Sequence, residues 1–571
     1  MLVKYIKNIR VNHSITFIFL MSSFISTLGN YTFWQSLWTL PELSILTQFK
    51  LTFGFGTALI ALLMLVQGIF LGRYTTKLIA FILLILTVPA QYFMFSYGVV
   101  IDASMVRNAL QTDVREVRDL INWTMFVVAF FTILVPFYWI SIQSFERYSL
   151  PKAFKRNVIA VFTALIVLVL SLLVIQSDVA TLMRSHKTLR YQITPFNAMY
   201  SMGRVIVGER AELPFKTLGA AQALGISSPL PVLVLVLGET ARSDHFSLNG
   251  YRSENKIGVN ISTTPYLDTL KSTELVSFTQ VTSCGTNTAD SVPCMFSHLD
   301  RTDFFARSAN YENMLDILQK TGYKILWLDN NSGCKGVCDR VPNKDLTRTE
   351  HPKYCHSKGC FDEILIHNLS DRVKTLAAAQ TDKTLNPTPT KGIVIVLHQM
   401  GSHGPAYHQR SPESFKQFKP ECTSSALQQC DVQHVINAYD NSIVYTDYLL
   451  SSTIKQLQSL DDTFATSLIY MSDHGESLGE NGNYLHGLPY SLAPKAQTHI
   501  PLIVWLSDNL AKQRGVDMRC LHQQKSTPLS HHNLFYSVLG LLNIQTAVYQ
   551  PQLDWFKLCT VNKLVRQSVN F

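Results

Sequence analysis

Residues 466–477 read "TSLIYMSDHGES", an uncharged and mostly apolar run that ends abruptly in Asp473 and His474. A run of strand length with no charge on either face predicts a strand buried on both sides, its polar groups thrown beyond its carboxyl end. The same grammar recurs. "PVLVLVLGETARSDH" (231–245) runs into Glu239, "GIVIVLHQMGSHGP" (392–405) into His398 and His403, and "YKILWLDNNSG" (323–333) into Asp329, Ser332 and then Lys335. Amphipathic stretches separate these runs, as expected for parallel strands joined by crossover helices. Ligands of open α/β sheets bind beyond the carboxyl ends of the strands, so these ends, with the "LHG" at His486, point at one site. Any single acid after a strand is readily a helix cap. Four such ends with imidazoles among them are harder to explain that way.

The chemistry follows from the donor types. Carboxylate oxygens and imidazole nitrogens suit a four-coordinate zinc ion. "SCGTNTADSVPCMFS" (283–297) adds two threonines fenced by two cysteines. A threonine hydroxyl is a weak nucleophile until a base or metal lowers its pKa, and zinc does this for water at neutral pH.

Working outward, the chain of 571 residues is 47% hydrophobic, with mean hydropathy +0.12. The excess lies before residue 176, in runs at 14–34, 51–71, 78–98, 123–143 and 157–176. Each is near the roughly 20 residues that cross a bilayer core. The first is too long for a signal peptide and has no Ala-x-Ala-like cleavage site. Lys4, Lys7 and Arg10, then Arg73 and Lys77, then Arg147, Lys152, Lys155 and Arg156 mark the cytoplasmic segments, so an odd number of spans exports everything after 176. The net charge of +9 owes something to this topology, and no basic patch interleaved with aromatics suggests nucleic acid. All ten cysteines follow the last span, an even number suited to disulfides in an oxidising compartment. A zinc ribbon from "CKGVC" and "CHSKGC" is the rival, and its gaps are irregular. The expected organisation is a transmembrane domain (1–176), a connector with a bridging helix (177–228) and a catalytic α/β domain (229–571).

"GETARSDHFSLNGY", "SCGTNTADSVPCMFS", "DNNSGCKGV", "HQMGSHGPAY", "YMSDHGESLGENGNYLHGLPY" and "HIPLIVWLS" resemble the phosphoethanolamine transferases of the Gram-negative envelope. The likeness is closest to the lipid A enzymes, which include the mobile colistin-resistance type, within the alkaline phosphatase/sulfatase superfamily. It implies five membrane helices in the inner membrane and a periplasmic alkaline-phosphatase-like domain, a mainly parallel sheet sandwiched by helices. By motif, zinc falls to Glu239, Thr288, Asp473 and His474, with Thr288 the nucleophile and Thr286 structural. Phosphate or second-metal positions match His398, His403, His486 and Lys335, with Ser332 among the substrate residues. In "NALQTDVRE", Asn108, Thr112 and Glu116 are four apart and would share one helix face toward the donor head group, Glu116 meeting its ammonium. The resemblance also implies that Cys284 and Cys294 clamp the threonine loop. Near-neighbour bridges are expected for Cys334 with Cys338, Cys355 with Cys360 and Cys422 with Cys430, leaving Cys520 for Cys559 across the longest loop.

The expected activity is transfer of phosphoethanolamine from phosphatidylethanolamine to lipid A or lipopolysaccharide, giving resistance to polymyxin and related cationic peptides. One zinc would be bound tightly, with a second for turnover, in a monomer working at the lipid bilayer. Inner-core Kdo or heptose are alternative acceptors. A phosphoglycerol transferase should lack "SCGTxT" and the histidines; a sulfatase needs a C/S-x-P-x-R motif, which is absent; a degenerate membrane anchor should have lost the metal residues, and all four are present.

Overall fold

The computed structural model describes residues 11–560 apart from 73, 113, 147, 210–212, 226–227, 255–259, 271–273, 358 and 379–389. Of the orienting cations, Lys4, Lys7, Arg10, Arg73 and Arg147 lie outside the described residues. The chain divides into two compact units, Met1–Arg107 with Ile121–Arg210, and Asn108–Leu120 with Ala211–Phe571.

The first unit holds five helices long and apolar enough to span a membrane: Ser14–Trp38, Ile45–Ile69, Thr75–Tyr97, Trp123–Ile142 and Leu150–Ser185. Their lipid-like exposure is plain on the fifth, where Phe162 and Leu170 are exposed. That helix runs past the expected end at 176 to Ser185 because "SDVATLMRS" contains neither Gly nor Pro to stop it. The second and fifth helices approach closely at Gly54, where a Cβ would fall 2.4 Å from Ile175 Cγ2. Small residues at such crossings are the usual device where the solvent is lipid.

The second unit is built on a seven-stranded sheet. Its strands, in chain order, are β1 (Leu230–Gly238), β2 (Leu275–Phe278), β3 (Tyr323–Asp329), β4 (Asn343–Asp345), β5 (Gly392–His398), β6 (Phe464–Ser472) and β7 (Leu502–Leu506). The spatial order is β4-β3-β5-β1-β6-β7-β2, parallel from β4 to β6 and antiparallel at β7 and β2. β5 and β6 are buried at every position and β1 at all but its first, which is why they carry no alternation of polarity. Their in-register pairing, with Leu237 opposite His398 and Gly238 opposite Ser472, brings the strand ends level.

Two pairs of helices and one long one matter to the site: α1 (Ala103–Leu110), α2 (Val114–Leu120), α3 (Thr288–Met295), α4 (Arg301–Ala306) and the 27-residue α5 (Val432–Gln458). α1 and α2 correct an expectation. Asn108, Thr112 and Glu116 do not share one continuous helix, because the chain leaves α1 after Leu110 and re-enters helix at Val114. Thr112 falls in the break, and its hydroxyl donates to the Asn108 carbonyl at 2.7 Å. Five disulfides, Cys284–Cys294, Cys334–Cys338, Cys355–Cys360, Cys422–Cys430 and Cys520–Cys559, staple the loops, and no cysteine is left free.

Candidate active site

Glu239 follows β1 and Asp473 and His474 follow β6, so adjacent parallel strands deliver three donors to one point. Donor atoms of Glu239, Asp473 and His474 lie within 4.8 Å of one another, and all three side chains are fully buried. His474 Nε2 stands 3.4 Å from Glu239 Oε1 and 3.3 Å from Asp473 Oδ2. Thr240, next to Glu239, holds a left-handed backbone at φ +53, a strained conformation for a β-branched residue. Gly401 lies under the same turn, where a Cβ would come within 2.8 Å of the Glu239 carbonyl oxygen.

Thr288 is the first residue of α3. Asn287 caps that helix, its side chain accepting from the Asp290 N–H at 3.0 Å, and Pro293 sits in the last turn without ending the helix early. The Thr288 hydroxyl reaches Glu239 Oε2 at 3.1 Å and His474 Nε2 at 3.5 Å. Cys284–Cys294 ties the loop before α3 to its end. Thr286 faces away and donates to the Leu488 carbonyl at 2.7 Å.

The electrostatics of this cluster are those of a cation site. Burial drives the Asp473 carboxyl up to about 7, and the Glu239 charge adds to that. Burial also disfavours the Glu239 charge, but the His474 hydrogen bond and the nearby imidazoles outweigh it and hold this carboxyl well below the usual range. Burial alone would lower His474, yet the two carboxylates raise it to about 10. Two carboxylates without water cost several kcal/mol unless positive charge joins them. Among the described residues, Asp473 Oδ2 and His398 Nε2 are buried with no hydrogen-bond partner. Hard oxygen donors, one imidazole and an orphaned carboxylate oxygen fit a divalent cation of the zinc type.

Imidazoles surround this point. His398 Nδ1 is 2.9 Å from Asp329 Oδ2, which also accepts from Trp327 Nε1. The His486 ring lies 4.3 Å from that of His474 and 5.5 Å from that of His403. Lys335 Nζ donates to the Ser332 hydroxyl and carbonyl, both at 2.9 Å, and to the Gln111 carbonyl at 3.3 Å. Glu116 is buried with Oε2 3.7 Å from His403 Nε2. Asp119 in α2 pairs with Arg410, whose Nε donates to the His403 carbonyl at 2.6 Å. Thus Glu116 and the Gln111 carbonyl meet the histidine–lysine group; Asn108 contributes its carbonyl to Thr112, and neither Asn108 nor Thr112 has a bond to that group among the described contacts.

Several site residues carry roles that motif reading leaves unassigned. Asn331 donates to Glu239 Oε2 at 2.8 Å. Glu476 joins the Tyr407 hydroxyl at 2.8 Å to His486 Nδ1 at 2.9 Å. Buried His531 accepts from the Cys284 N–H at 2.9 Å and reaches the Ser472 carbonyl at 2.9 Å, bridging the loop before α3 to β6. The first two stand inside quoted motifs; nothing in "SHHN" marks His531.

Known proteins resemble this chain in sequence and fold. The sulfatase family matches residues 231–544, and the phosphoethanolamine transferase EptA/EptB family matches residues 59–209. Phosphoethanolamine transferase EptA of Salmonella typhimurium is 37% identical over 496 residues, 85% of this chain and 86% of that one. Phosphatidylethanolamine transferase Mcr-2 of Escherichia coli is 34% identical over 539 residues, 92% of this chain and 94% of its own. Among solved structures, the integral membrane lipooligosaccharide phosphoethanolamine transferase A of Neisseria meningitidis superposes with TM-score 0.86 at 31% identity, over 96% of this chain and 99% of that one.

Proposed function

Because the chain belongs to the phosphoethanolamine transferase family, as an inner-membrane protein with five spans and a periplasmic catalytic domain, we propose that it moves phosphoethanolamine from phosphatidylethanolamine to lipid A through Thr288. The observation that carries this reading is a single hydroxyl, at the start of α3, within 3.1 Å of a buried carboxylate whose neighbours demand a cation. A zinc ion held by Glu239, Thr288, Asp473 and His474 would supply positive charge that favours the threonine alkoxide.

The residues then divide the work. Thr288 Oγ attacks the donor phosphorus and its proton is lost; the bond from phosphorus to the diacylglycerol oxygen breaks, and that oxygen leaves as diacylglycerol after taking a proton. His398, His403, His486 and Lys335 face the phosphoryl oxygens and offset their charge. Glu116 receives the ethanolamine ammonium. An oxygen of the acceptor phosphate next attacks the phosphoethanolamine-threonine, the bond from phosphorus to Thr288 Oγ breaks, and the hydroxyl is restored. Because donor and acceptor are both lipids, the membrane spans belong to the same task. The product carries an added ammonium, which lowers surface negative charge and weakens binding of polymyxin and other cationic peptides.

Full-length Thr288→Ala in phosphatidylethanolamine vesicles should release diacylglycerol more than about a thousandfold slower than the parent, since a methyl group offers no nucleophile. Mass spectrometry of lipid A from a host making the parent should show the added phosphoethanolamine. Wild-type diacylglycerol release by Thr288→Ala would refute the nucleophile; phosphoethanolamine on Kdo or heptose alone would refute the acceptor.

A further inference from the structure

Beside the candidate active site, a cavity of about 320 Å³ in the catalytic unit lies between the end of α3, at Pro293 and Ser297, the residues following α4, and the 335–340 segment. Its volume falls at the small end of small-molecule pockets, roughly 300–1,000 Å³. One residue belongs both to this groove and to the site described above: Lys335, whose ammonium rests on Ser332 at one end of it. Among the described residues no carboxylate lies within ion-pair distance of Lys335, so its charge is available to an anion; its donors reach only the neutral oxygens of Ser332 and Gln111.

The walls say what kind of anion. Arg307 lies with its guanidinium 4.0 Å from the Phe304 ring centroid, its Nη1 donating to the Phe304 carbonyl at 2.7 Å. Arg340 lies 4.9 Å from the ring centroid of Phe215 and is held on its other side by Asp316, at 2.8 and 2.6 Å. The acids in the wall are Glu312, which Lys320 binds at 2.8 Å, and exposed Asp339. Among the described residues, with Lys320 and Asp316 counted behind the wall, four cations and three carboxylates surround the groove, Arg307 also donating to Asn310 Oδ1 at 3.4 Å. Phe215, exposed on a short strand paired with Asn310–Tyr311, and Tyr311 give the groove aromatic faces of the kind on which sugar rings stack. A phosphorylated sugar meets all of this: charge for the guanidiniums and ammonium, an apolar ring face for the aromatics.

We propose that this groove is the acceptor subsite, taking the phosphorylated sugar of the glycolipid so that the reacting phosphate lies toward Lys335 and the sugar over Phe215 and Tyr311, with Arg307 gripping an anionic group farther along. The assignment rests on the transfer reaction proposed above. It separates acceptor binding from the donor step, because the donor's head group is met by Glu116 and His403, neither of which lines the groove.

The test uses full-length protein in two vesicle types: phosphatidylethanolamine alone, read as the single-turnover burst of diacylglycerol, and phosphatidylethanolamine with lipid A, read as transfer against lipid A concentration. Arg307→Glu should leave the burst within about twofold of the parent and raise the KM for lipid A about tenfold, the size of one lost charge-assisted contact. Phe215→Ala, at an exposed ring whose loss does not threaten the core, should raise the same KM about threefold and leave the burst alone. The assignment is overturned if both variants keep the parent's KM for lipid A, or if burst and transfer fall together in both. A parent that gives no burst at all has a different signature, and it refutes the reaction rather than the groove's place in it.

Discussion

Two polar clusters in the catalytic unit both set carboxylate against imidazole and differ in how their polar atoms are satisfied. In the first, His245 and Tyr251 both meet Asp440 of α5, with His245 Nδ1 2.7 Å from one carboxylate oxygen and the tyrosine hydroxyl donating at 2.9 Å to the other. In the second, Glu239, Asp473, His474 and Thr288 converge, yet Asp473 Oδ2 finds no donor and two carboxylates share one imidazole. Asp440 and His245 in the first are removed from solvent, as are Glu239, Asp473, His474 and Thr288 in the second, so both bear the cost of burying polar groups. The first closes its own account with hydrogen bonds. The second is left short of positive charge, and that shortage marks it as the place where something else binds.

The largest effect that could break this contrast is at Asp473. Asp473→Asn should strip the metal from purified full-length protein, with a loss of affinity beyond the roughly 10–100-fold typical of outer-shell partners, and abolish transfer. Metal analysis and diacylglycerol release read both. The metal-free forms sharpen the point: with chelator present, Asp473→Asn should unfold at a temperature equal to or above that of the parent, because the amide removes one of two buried like charges. A variant that keeps full metal content would place the second cluster with the first.

Asp440→Asn should behave in the opposite way. One of its two acceptor oxygens becomes an NH₂, leaving either His245 or Tyr251 facing a donor at a position where the Asp440 side chain is fully buried. The expected cost is about 2 kcal/mol of stability, seen as a lower unfolding temperature with metal content unchanged. Loss of metal in Asp440→Asn with unfolding temperature intact would mean that the first cluster supports the site and is not merely structural.

This contrast also shows what was legible in the sequence. The strand ends were, because burial on both faces forces uncharged strands and leaves the first polar residue after each as the obvious donor; Glu239, Asp473 and His398 follow from that alone. The spans were legible because a bilayer sets the length of its helices. What stayed hidden depends on contacts across the chain. His531 acts through Cys284 at a separation of 247 residues. Asn331 and Glu476 sit in conspicuous motifs, but only the fold shows which carboxylate and which histidine each one bonds. The break between α1 and α2 was hidden for a local reason: the four-residue spacing of Asn108, Thr112 and Glu116 promises a helix face, and no Gly or Pro in "NALQTDVRE" marks the interruption.

Glu116 stands between the two clusters, and it predicts the smallest effect. It is buried, as the carboxylates of both clusters are, and its Oε2 lies 3.7 Å from His403 Nε2, too long for a good hydrogen bond yet close enough for charge to matter. α2 is held to the catalytic unit independently by Asp119 and Arg410, so removing the Glu116 carboxylate should leave the helix in place. If the carboxylate receives the donor's ammonium, Glu116→Ala loses one hydrogen bond to a charged group, about 1.5 to 3 kcal/mol, and the KM for phosphatidylethanolamine rises at least about tenfold with metal content and the lipid A KM unchanged. Full-length enzyme assayed across several donor concentrations decides it. Unchanged donor kinetics would make Glu116 a satisfied neighbour of His403, an extension of the closed kind of cluster. A fall in metal content would instead join it to the open one.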